Sequence, residues 1–145
     1  MIRKVPKIGK KFKLDIGCGD KPGEGYVGMD IRDCGQEVLW DARQGIPFPD
    51  ESVDEIRSSH FMEHLKDDES IDMLQEILRV LKHKGRFYCR VPHQSHPTAY
   101  YFGHYTFWNE WRVEALNRMT EPLHPFIIEK NEQEGFELIF TIKKL

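Results

Sequence analysis

The sequence has few cysteines and no long apolar segment. Its three cysteines, Cys18, Cys34 and Cys89, are scattered and form no CxxC pair, which fits free thiols in a reducing compartment better than a disulfide framework. No apolar run approaches the roughly 20 residues of a membrane-spanning helix, and the N-terminus lacks the apolar core of a signal peptide. We therefore predict a cytoplasmic protein that has no membrane partner.

An excess of charge of one sign is also missing. The formal net charge is −3 at pH 7, so the chain has no overall attraction to nucleic acid and we expect no such partner. Basic residues are concentrated in residues 1–12, which we interpret as a solvated N-terminal arm. A chain of 145 residues can form one hydrophobic core, so we predict a single domain spanning residues 1–145.

The hydrophobic pattern predicts an α/β fold. Short apolar runs bounded by turn residues indicate strands at 13–16, 26–31, 37–40, 52–58 and 86–91. Helical spacing indicates a helix over 68–82 and a second over 107–119, the latter with Trp108, Trp111, Ala115 and Met119 along one side. Residues 126–129 and 136–143 indicate a hairpin. We predict a mostly parallel central sheet closed by this C-terminal β-hairpin.

Residues with binding chemistry follow the ends of four predicted strands. The turn Gly17-Cys18-Gly19 follows the first strand, Asp30 the second, Asp41 the third, and Ser59-His60 the fourth. Glycine has no Cβ and tolerates positive φ, so a ligand can approach such a turn closely. Because ligands of open α/β sheets bind at the carboxyl ends of the strands, these residues predict one binding site.

A dinucleotide is not the expected ligand. Its GxGxxG motif needs a third glycine, whose place Pro22 takes here. The acid of that motif comes about 20 residues later, whereas Asp30 follows Gly19 by eleven residues. We therefore do not expect a nicotinamide dehydrogenase.

Three segments carry longer motifs: LDIGCGD, IPFPDESVDEIRSSHFMEHL and LKHKGRFYCRVP. In this order they resemble the LDIGCG, LPF-D-S-FD, EHL and LKPGG motifs of the small class I S-adenosylmethionine-dependent methyltransferases. The resemblance covers roughly residues 12–92 and the closing hairpin. It implies a Rossmann-like methyltransferase fold, S-adenosyl-L-methionine as the cofactor, and methyl transfer to a small-molecule acceptor.

The resemblance also implies a role for each residue at the strand ends. Asp15, Gly17, Cys18 and Gly19 would lie along the methionine part of the cofactor. Asp30 would accept hydrogen bonds from the two ribose hydroxyls, because a carboxylate offers two acceptor oxygens. Ile31 would pack on the adenine, and Asp41 with the Ala42 amide would contact its edge. Ser59 and His60 would close the site beside the sulfonium.

The implied chemistry is an in-line displacement at the methyl carbon, for which the enzyme mainly positions the nucleophile and excludes water. A general base is needed only for a hydroxyl or a protonated amine. Because imidazole titrates near neutral pH, we predict His60, and after it His64, as catalytic residues. A loop over residues 92–106 would face the acceptor through His93, His96, Tyr100 and Tyr101. This interpretation requires no metal.

Two other functions stay open. A trimmed sheet could bind S-adenosylmethionine or S-adenosylhomocysteine without catalysis. The string His60-x-x-Glu63-His64 also matches the H-x-x-E-H pattern of a zinc peptidase, which would make the protein a zinc-dependent hydrolase. Against this reading, the string directly follows a strand rather than lying within a long helix.

The first connections are too short for the helices that the family places there. Gly19 to Tyr26 and the links into the third and fourth strands show no helical period, whereas a parallel crossover usually takes a dozen or more residues. One face of the sheet should therefore lack helices, and apolar surface left uncovered tends to be an interface. We expect the basic N-terminal arm or a second copy of the chain to cover it, the latter forming a homodimer.

Overall fold

The computed structural model describes residues 1–4, 10–119 and 124–145. Its strands are β1 (Lys13–Ile16), β2 (Val27–Asp30), β3 (Val38–Leu39), β4 (Val53–Ser59), β5 (Leu81–Pro92), β6 (Phe126–Glu134) and β7 (Glu137–Lys144), and its α-helices are α1 (Asp67–Val80) and α2 (Glu110–Met119). Short 3-10 turns lie at Ala42–Gln44, Met62–His64 and Pro97–Tyr100. Each strand and helix predicted from the sequence is present, with somewhat different bounds.

The strands form one seven-stranded sheet in the order β3-β2-β1-β4-β5-β7-β6. The first five strands are parallel to their neighbours, and β7 runs antiparallel to both β5 and β6. The predicted α/β, mostly parallel Rossmann-like architecture is therefore confirmed. The hairpin of β6 and β7 extends the sheet at one edge, however, and the sheet is open rather than closed.

Helix α1 provides the crossover between the parallel strands β4 and β5. Its first turn carries Asp67, Asp68 and Glu69, whose charges favour a helix N-terminus, and Oε1 of Glu69 accepts a hydrogen bond from the Lys66 amide at 2.9 Å. Its apolar side packs on the sheet, where Leu74 and Ile77 are buried.

The hydrophobic core lies on one face of the sheet. Leu14 and Ile16 of β1 face α1 with the buried Ile56 and Phe87 of the neighbouring strands. Trp108 extends this core at the hairpin side, where its ring stacks on Phe140 at 5.6 Å. Helix α2 lies on the same face as α1, since Arg112 pairs with Asp67 at 2.8 Å.

The opposite, helix-free face of the sheet carries no helix from the described residues, and it is polar. Strand alternation places every second side chain there, including Asp15 beside Arg57 (3.5 Å) and Lys13 beside Glu55 (3.6 Å). Tyr26 also donates a hydrogen bond to Glu55. The missing helices were predicted, but the apolar surface expected with them was wrong, because paired charges occupy the face. The homodimer stays a prediction, and the described residues form no apolar patch on this face that would support it.

The first residues of the chain extend the sheet rather than cover its face. Ile2 forms an antiparallel bridge to Val38, and the Arg3 amide donates to the Glu37 carbonyl at 2.7 Å. Residues 5–9 of the predicted N-terminal arm lie outside the described residues. Across the part of the chain that the structure describes, no helix is long and apolar enough to cross a membrane.

Candidate functional site

A cleft of about 450 Å³ opens at the carboxyl ends of the parallel strands. This volume lies within the range of small-ligand sites, roughly 300–1,000 Å³. Its walls combine apolar and charged side chains with the glycine turn. The lining residues are Gly17, Asp30, Ile31, Arg32, Trp40, Asp41, Ala42, Arg43, His60, Phe61, His64 and Leu65.

Gly17 forms the floor of the cleft at the end of β1. Its φ is +67°, and a Cβ at this position would lie 2.6 Å from Cδ2 of Phe61. The amides of Gly17 and Cys18 both donate to the Met29 carbonyl, at 2.8 and 3.1 Å. The turn is therefore fixed to β2 and leaves room for the Phe61 ring because it has no side chain of its own.

Asp30 is held at the end of β2 by two backbone amides. Its Oδ2 accepts from Gly19 at 2.8 Å and its Oδ1 from Arg32 at 2.9 Å. The residue is buried yet borders the cleft. Each carboxylate oxygen has two lone pairs, so both keep one that can accept a hydrogen bond from a ligand diol.

The wall opposite the turn comes from the end of β3. Asp41 caps the turn Ala42–Gln44 and accepts hydrogen bonds from the Arg43 amide and guanidinium. The side-chain hydrogen bonds from Arg43 hold the pKa of the Asp41 carboxyl below its usual value. Beside them Ile31 is an exposed apolar side chain, and Trp40 is fixed by a 2.7 Å hydrogen bond to the Gly45 carbonyl.

Two histidines border the cleft after β4. His60 has a φ of +56°, an uncommon conformation for a residue with a side chain, and its Nε2 lies 2.7 Å from Oε2 of Glu137. Its Nδ1 lies 3.3 Å from Oε2 of Glu63. Glu63, followed by Glu137, raises the pKa of His60 above its usual value, against the opposing effect of burial. Nδ1 of His64 lies 2.9 Å from the Gly103 carbonyl.

The family model of a methyltransferase domain matches residues 14–89, which include the glycine turn, Asp30 and both histidines of the cleft. This chain belongs to the methyltransferase domain family. Its cofactor is S-adenosylmethionine. No curated protein sequence matches the chain.

Solved structures with the methyltransferase fold are similar at low sequence identity. The Haemonchus contortus phosphoethanolamine N-methyltransferase 1, in complex with phosphoethanolamine and S-adenosylhomocysteine, has a TM-score of 0.75 and 14% identity over 97% of this chain and 40% of its own. An Archaeoglobus fulgidus S-adenosylmethionine-dependent methyltransferase has a TM-score of 0.70 and 16% identity over 94% of this chain and 87% of its own. The [4+2]-cyclase SpnF has a TM-score of 0.70 and 17% identity over 94% of this chain and 75% of its own. At these identities the similarity concerns the fold.

The cleft of this methyltransferase fits the cofactor in its chemistry. Asp30 offers two acceptor lone pairs for the ribose diol, and the exposed side chain of Ile31 and the Trp40 ring offer apolar surface for the adenine. A Cβ at Gly19 would meet nothing nearer than 4.0 Å, so the backbone there is open to a ligand. Asp30, Ile31, Asp41 and Ala42 would hold the nucleoside.

Six of the ten predicted cofactor residues line the cleft of the methyltransferase. They are Gly17, Asp30, Ile31, Asp41, Ala42 and His60. Gly19 lies next to it and donates to Asp30.

Three predicted cofactor residues lie elsewhere. The Asp15 carboxylate turns to the helix-free face, since strand alternation separates it from Leu14 and Ile16, and it accepts from the Gly23 amide at 2.8 Å. Ser59 lines a second depression on that face, beside Arg57 and Tyr88. The Cys18 thiol donates to the Gly19 carbonyl at 3.2 Å.

The predicted acceptor residues do not line the cleft. His93 is buried with its Nε2 3.1 Å from Glu110, and the His96 ring packs 5.3 Å from Phe136. Tyr100 stacks on Phe107 and donates to the Gln94 carbonyl, while Tyr101 is exposed. The loop instead reaches the methyltransferase cleft through Gly103, which contacts His64.

Sequence reasoning missed five lining residues: Arg32, Trp40, Arg43, Phe61 and Leu65. All five directly adjoin a predicted residue in the chain, so the signal was proximity to the predicted site residues. Phe61 carries a further signal, because a bulky residue after a strand can explain why a nearby turn requires glycine.

Proposed function

We propose that this chain transfers a methyl group from S-adenosylmethionine to a small-molecule acceptor that enters the cleft beside His64. The observation that carries the cofactor half of the proposal is Asp30, a carboxylate fixed by two amides with a free lone pair on each oxygen. The acceptor half rests on the cleft itself, whose size suits a small ligand.

The bound cofactor supplies a methyl carbon on a sulfonium, which is already a good leaving group. The protein therefore has to align the nucleophile and exclude water. Phe61, Trp40 and Leu65 provide apolar walls for this purpose. Phe61 also fixes the glycine turn from above, so the floor of the cleft is positioned before a ligand arrives.

The two histidines receive different roles. Both ring nitrogens of His60 face carboxylates, so His60 is assigned a positioning role between β4 and the hairpin. Nδ1 of His64 must donate its proton to the Gly103 carbonyl, because a carbonyl oxygen only accepts. In the neutral ring this leaves a lone pair on Nε2, and we assign His64 the activation of the acceptor.

Titration calorimetry with S-adenosylmethionine and S-adenosylhomocysteine tests the cofactor half. Transfer of a labelled methyl group to a panel of hydroxyl, amine and carboxylate metabolites tests the acceptor half. We expect His64→Ala to lower kcat at least a hundredfold, as removal of an activating histidine usually does, with little change in cofactor affinity. An unchanged kcat would overturn the role of His64.

A binding module without catalysis is the second candidate. It is favoured by the positions of His93, His96, Tyr100 and Tyr101, which do not line the cleft. Tight binding of both nucleosides with no labelled product from the whole panel would support it. Cytoplasmic location stays a prediction in either case.

A further inference from the structure

The loop after β5 brings a third histidine, His104, against His64 at the border of the cleft. One potential ligand atom from each of Glu63, His64 and His104 lies within 4.8 Å of the other two. The His64 and His104 rings are nearly perpendicular, with centroids 4.7 Å apart. Two imidazoles and one carboxylate form a common ligand set for a divalent transition metal.

Glu63 is the unusual member of this set. It is 1% exposed, and neither carboxylate oxygen has a hydrogen-bond partner among the described residues. Its nearest cationic group is Nδ1 of His60 at 3.3 Å, whose Nε2 is already taken by Glu137. Buried charges are normally paired or coordinate a metal. Among the described residues Glu63 has His60 as its ion-pair partner and shares it with Glu137, so both its oxygens can still take a metal ion as a partner.

Both histidines have the hydrogen-bond pattern that metal ligands usually have. Nδ1 of His64 lies 2.9 Å from the Gly103 carbonyl, and Nδ1 of His104 lies 3.3 Å from the Ala99 carbonyl. Each ring must donate from Nδ1, which leaves the Nε2 lone pair for another partner, and no described group bonds it. A histidine that binds a metal typically donates its other N–H to a carbonyl or carboxylate in this way.

We propose that Glu63, His64 and His104 bind one divalent transition-metal ion, with zinc as the best match to the ligand set. His104 takes the place that the H-x-x-E-H pattern gives to His60, whose Nε2 is bound to Glu137. Three protein ligands leave a fourth coordination position, open to an oxygen ligand. The metal site stands without the proposed function. With the metal bound, the Nε2 lone pair of His64 is a ligand rather than a base, so His64 acts on an acceptor hydroxyl or carboxylate through the ion's fourth position, and this last step rests on the proposed function.

The test measures metal binding directly, with neither cofactor nor acceptor present. The chelator-treated protein is titrated with Zn²⁺ by calorimetry and with Co²⁺ by visible absorption, which reports the coordination geometry. We expect one ion per chain and a Co²⁺ spectrum of a four-coordinate site. His104→Ala and Glu63→Gln should each weaken binding roughly a hundredfold.

Two matched variants distinguish this site from other histidine sites. His83→Ala removes an exposed histidine paired with Glu51 and should bind metal as the unmodified chain does. His60→Gln removes the first histidine of the sequence pattern, which contacts Glu63, and should lose less metal affinity than His104→Ala. Absence of binding at micromolar metal, or loss in His60→Gln with His104→Ala unaffected, would overturn the proposal. Because His104 lies in a half-buried loop, its variant should fold, which circular dichroism checks.

Cofactor affinity measured on the same samples keeps the two proposals separate. A chain that binds zinc but not S-adenosylhomocysteine supports the metal site and contradicts the proposed function. The reverse result contradicts the metal site alone.

Discussion

Gly17 shows how one residue shapes the floor of the cleft. Its positive φ costs a residue with a side chain about 1–2 kcal/mol, and a Cβ 2.6 Å from Phe61 forces the ring to move. We predict that Gly17→Ala lowers the free energy of unfolding by about 3 kcal/mol, the sum of this backbone cost and an overpacking cost. Urea denaturation monitored by fluorescence measures it.

Gly35→Ala is the matched control for this prediction. Gly35 has a φ of +84°, but a Cβ there would meet nothing within 4 Å. The free energy of unfolding of Gly35→Ala should therefore fall only by the backbone cost, about 1 kcal/mol. Equal losses in the two variants would show that the Phe61 contact has no energetic role.

Asp30 makes the cofactor site testable at a single carboxylate. We predict that Asp30→Asn weakens binding of S-adenosylhomocysteine roughly 30-fold, because hydrogen bonds to a charged group contribute about 1.5–3 kcal/mol. The control is Asp33→Asn, which changes an exposed acid paired with Arg3 at 2.6 Å. Calorimetry on both variants decides, and an affinity that falls equally in both would remove the ribose role of Asp30.

Cys18 gives a prediction about pH. Burial, and after it the negative charges of Asp15 and Asp30, raise the pKa of the Cys18 thiol to about 12. The reactive thiolate is the deprotonated form, so at pH 8 its population should be roughly a thousandfold below that of a thiol with a pKa of 9. We expect iodoacetamide to label Cys18 very slowly in the folded protein and quickly in urea, as peptide mass spectrometry would measure. Fast labelling of the folded protein would contradict this environment.

At the scale of the element, α2 is where the sequence pattern misled. The pattern placed Trp108, Trp111, Ala115 and Met119 along one side of a helix, but the helix begins only at Glu110 and buries Val113 and Leu116. Trp108 is buried ahead of the helix, whereas Trp111 is 83% exposed. A row of apolar residues that begins before the helix does not mark the buried face of that helix.

This difference predicts the stability of two variants. Val113→Ala should lower the free energy of unfolding by about 2 kcal/mol, because it removes two buried methyl groups and leaves a cavity. Trp111→Ala should change it by less than about 0.5 kcal/mol, as an exposed substitution does. Chemical denaturation compares them, and a larger loss of stability for Trp111→Ala than for Val113→Ala would show that the Trp111 side of the helix contributes the packing.

The other elements were predictable because each is specified locally. β1 is a short buried run ended by glycine, and α1 combines an acidic first turn with helical spacing. The alternation of apolar and polar residues in the β7 segment predicted the second strand of the hairpin. Two other features depend on strand register and packing, which no local pattern contains. The Phe61 ring lies over Gly17, and the Asp15 side chain lies on the helix-free face of the sheet.

At the scale of the whole molecule, the site is assembled from distant parts of the chain. His104 reaches Glu63 and His64 because the chain directly after it is fixed: the Tyr105 amide donates to the Glu63 carbonyl at 2.8 Å, and the buried Trp108 donates to Thr106 at 2.9 Å. The sequence offered both the H-x-x-E-H string and a histidine-rich loop. Only the folded chain shows that they meet, and that the loop approaches by way of Gly103 rather than by its predicted acceptor residues.

The helix-free face decides what kind of homodimer this chain could form. Lys13, Asp15, Glu55 and Arg57 make ion pairs on it, so a second copy would be held by charge rather than by apolar burial. Salt screens such contacts, with a Debye length of about 10 Å at 0.1 M and 3 Å at 1 M. We predict that a dimer through this face dissociates toward the 17.2 kDa monomer as salt rises, and that Arg57→Glu dissociates it at low salt. Sedimentation at both ionic strengths measures this. A dimer indifferent to salt would place the interface elsewhere, and a monomer at low salt would remove the homodimer.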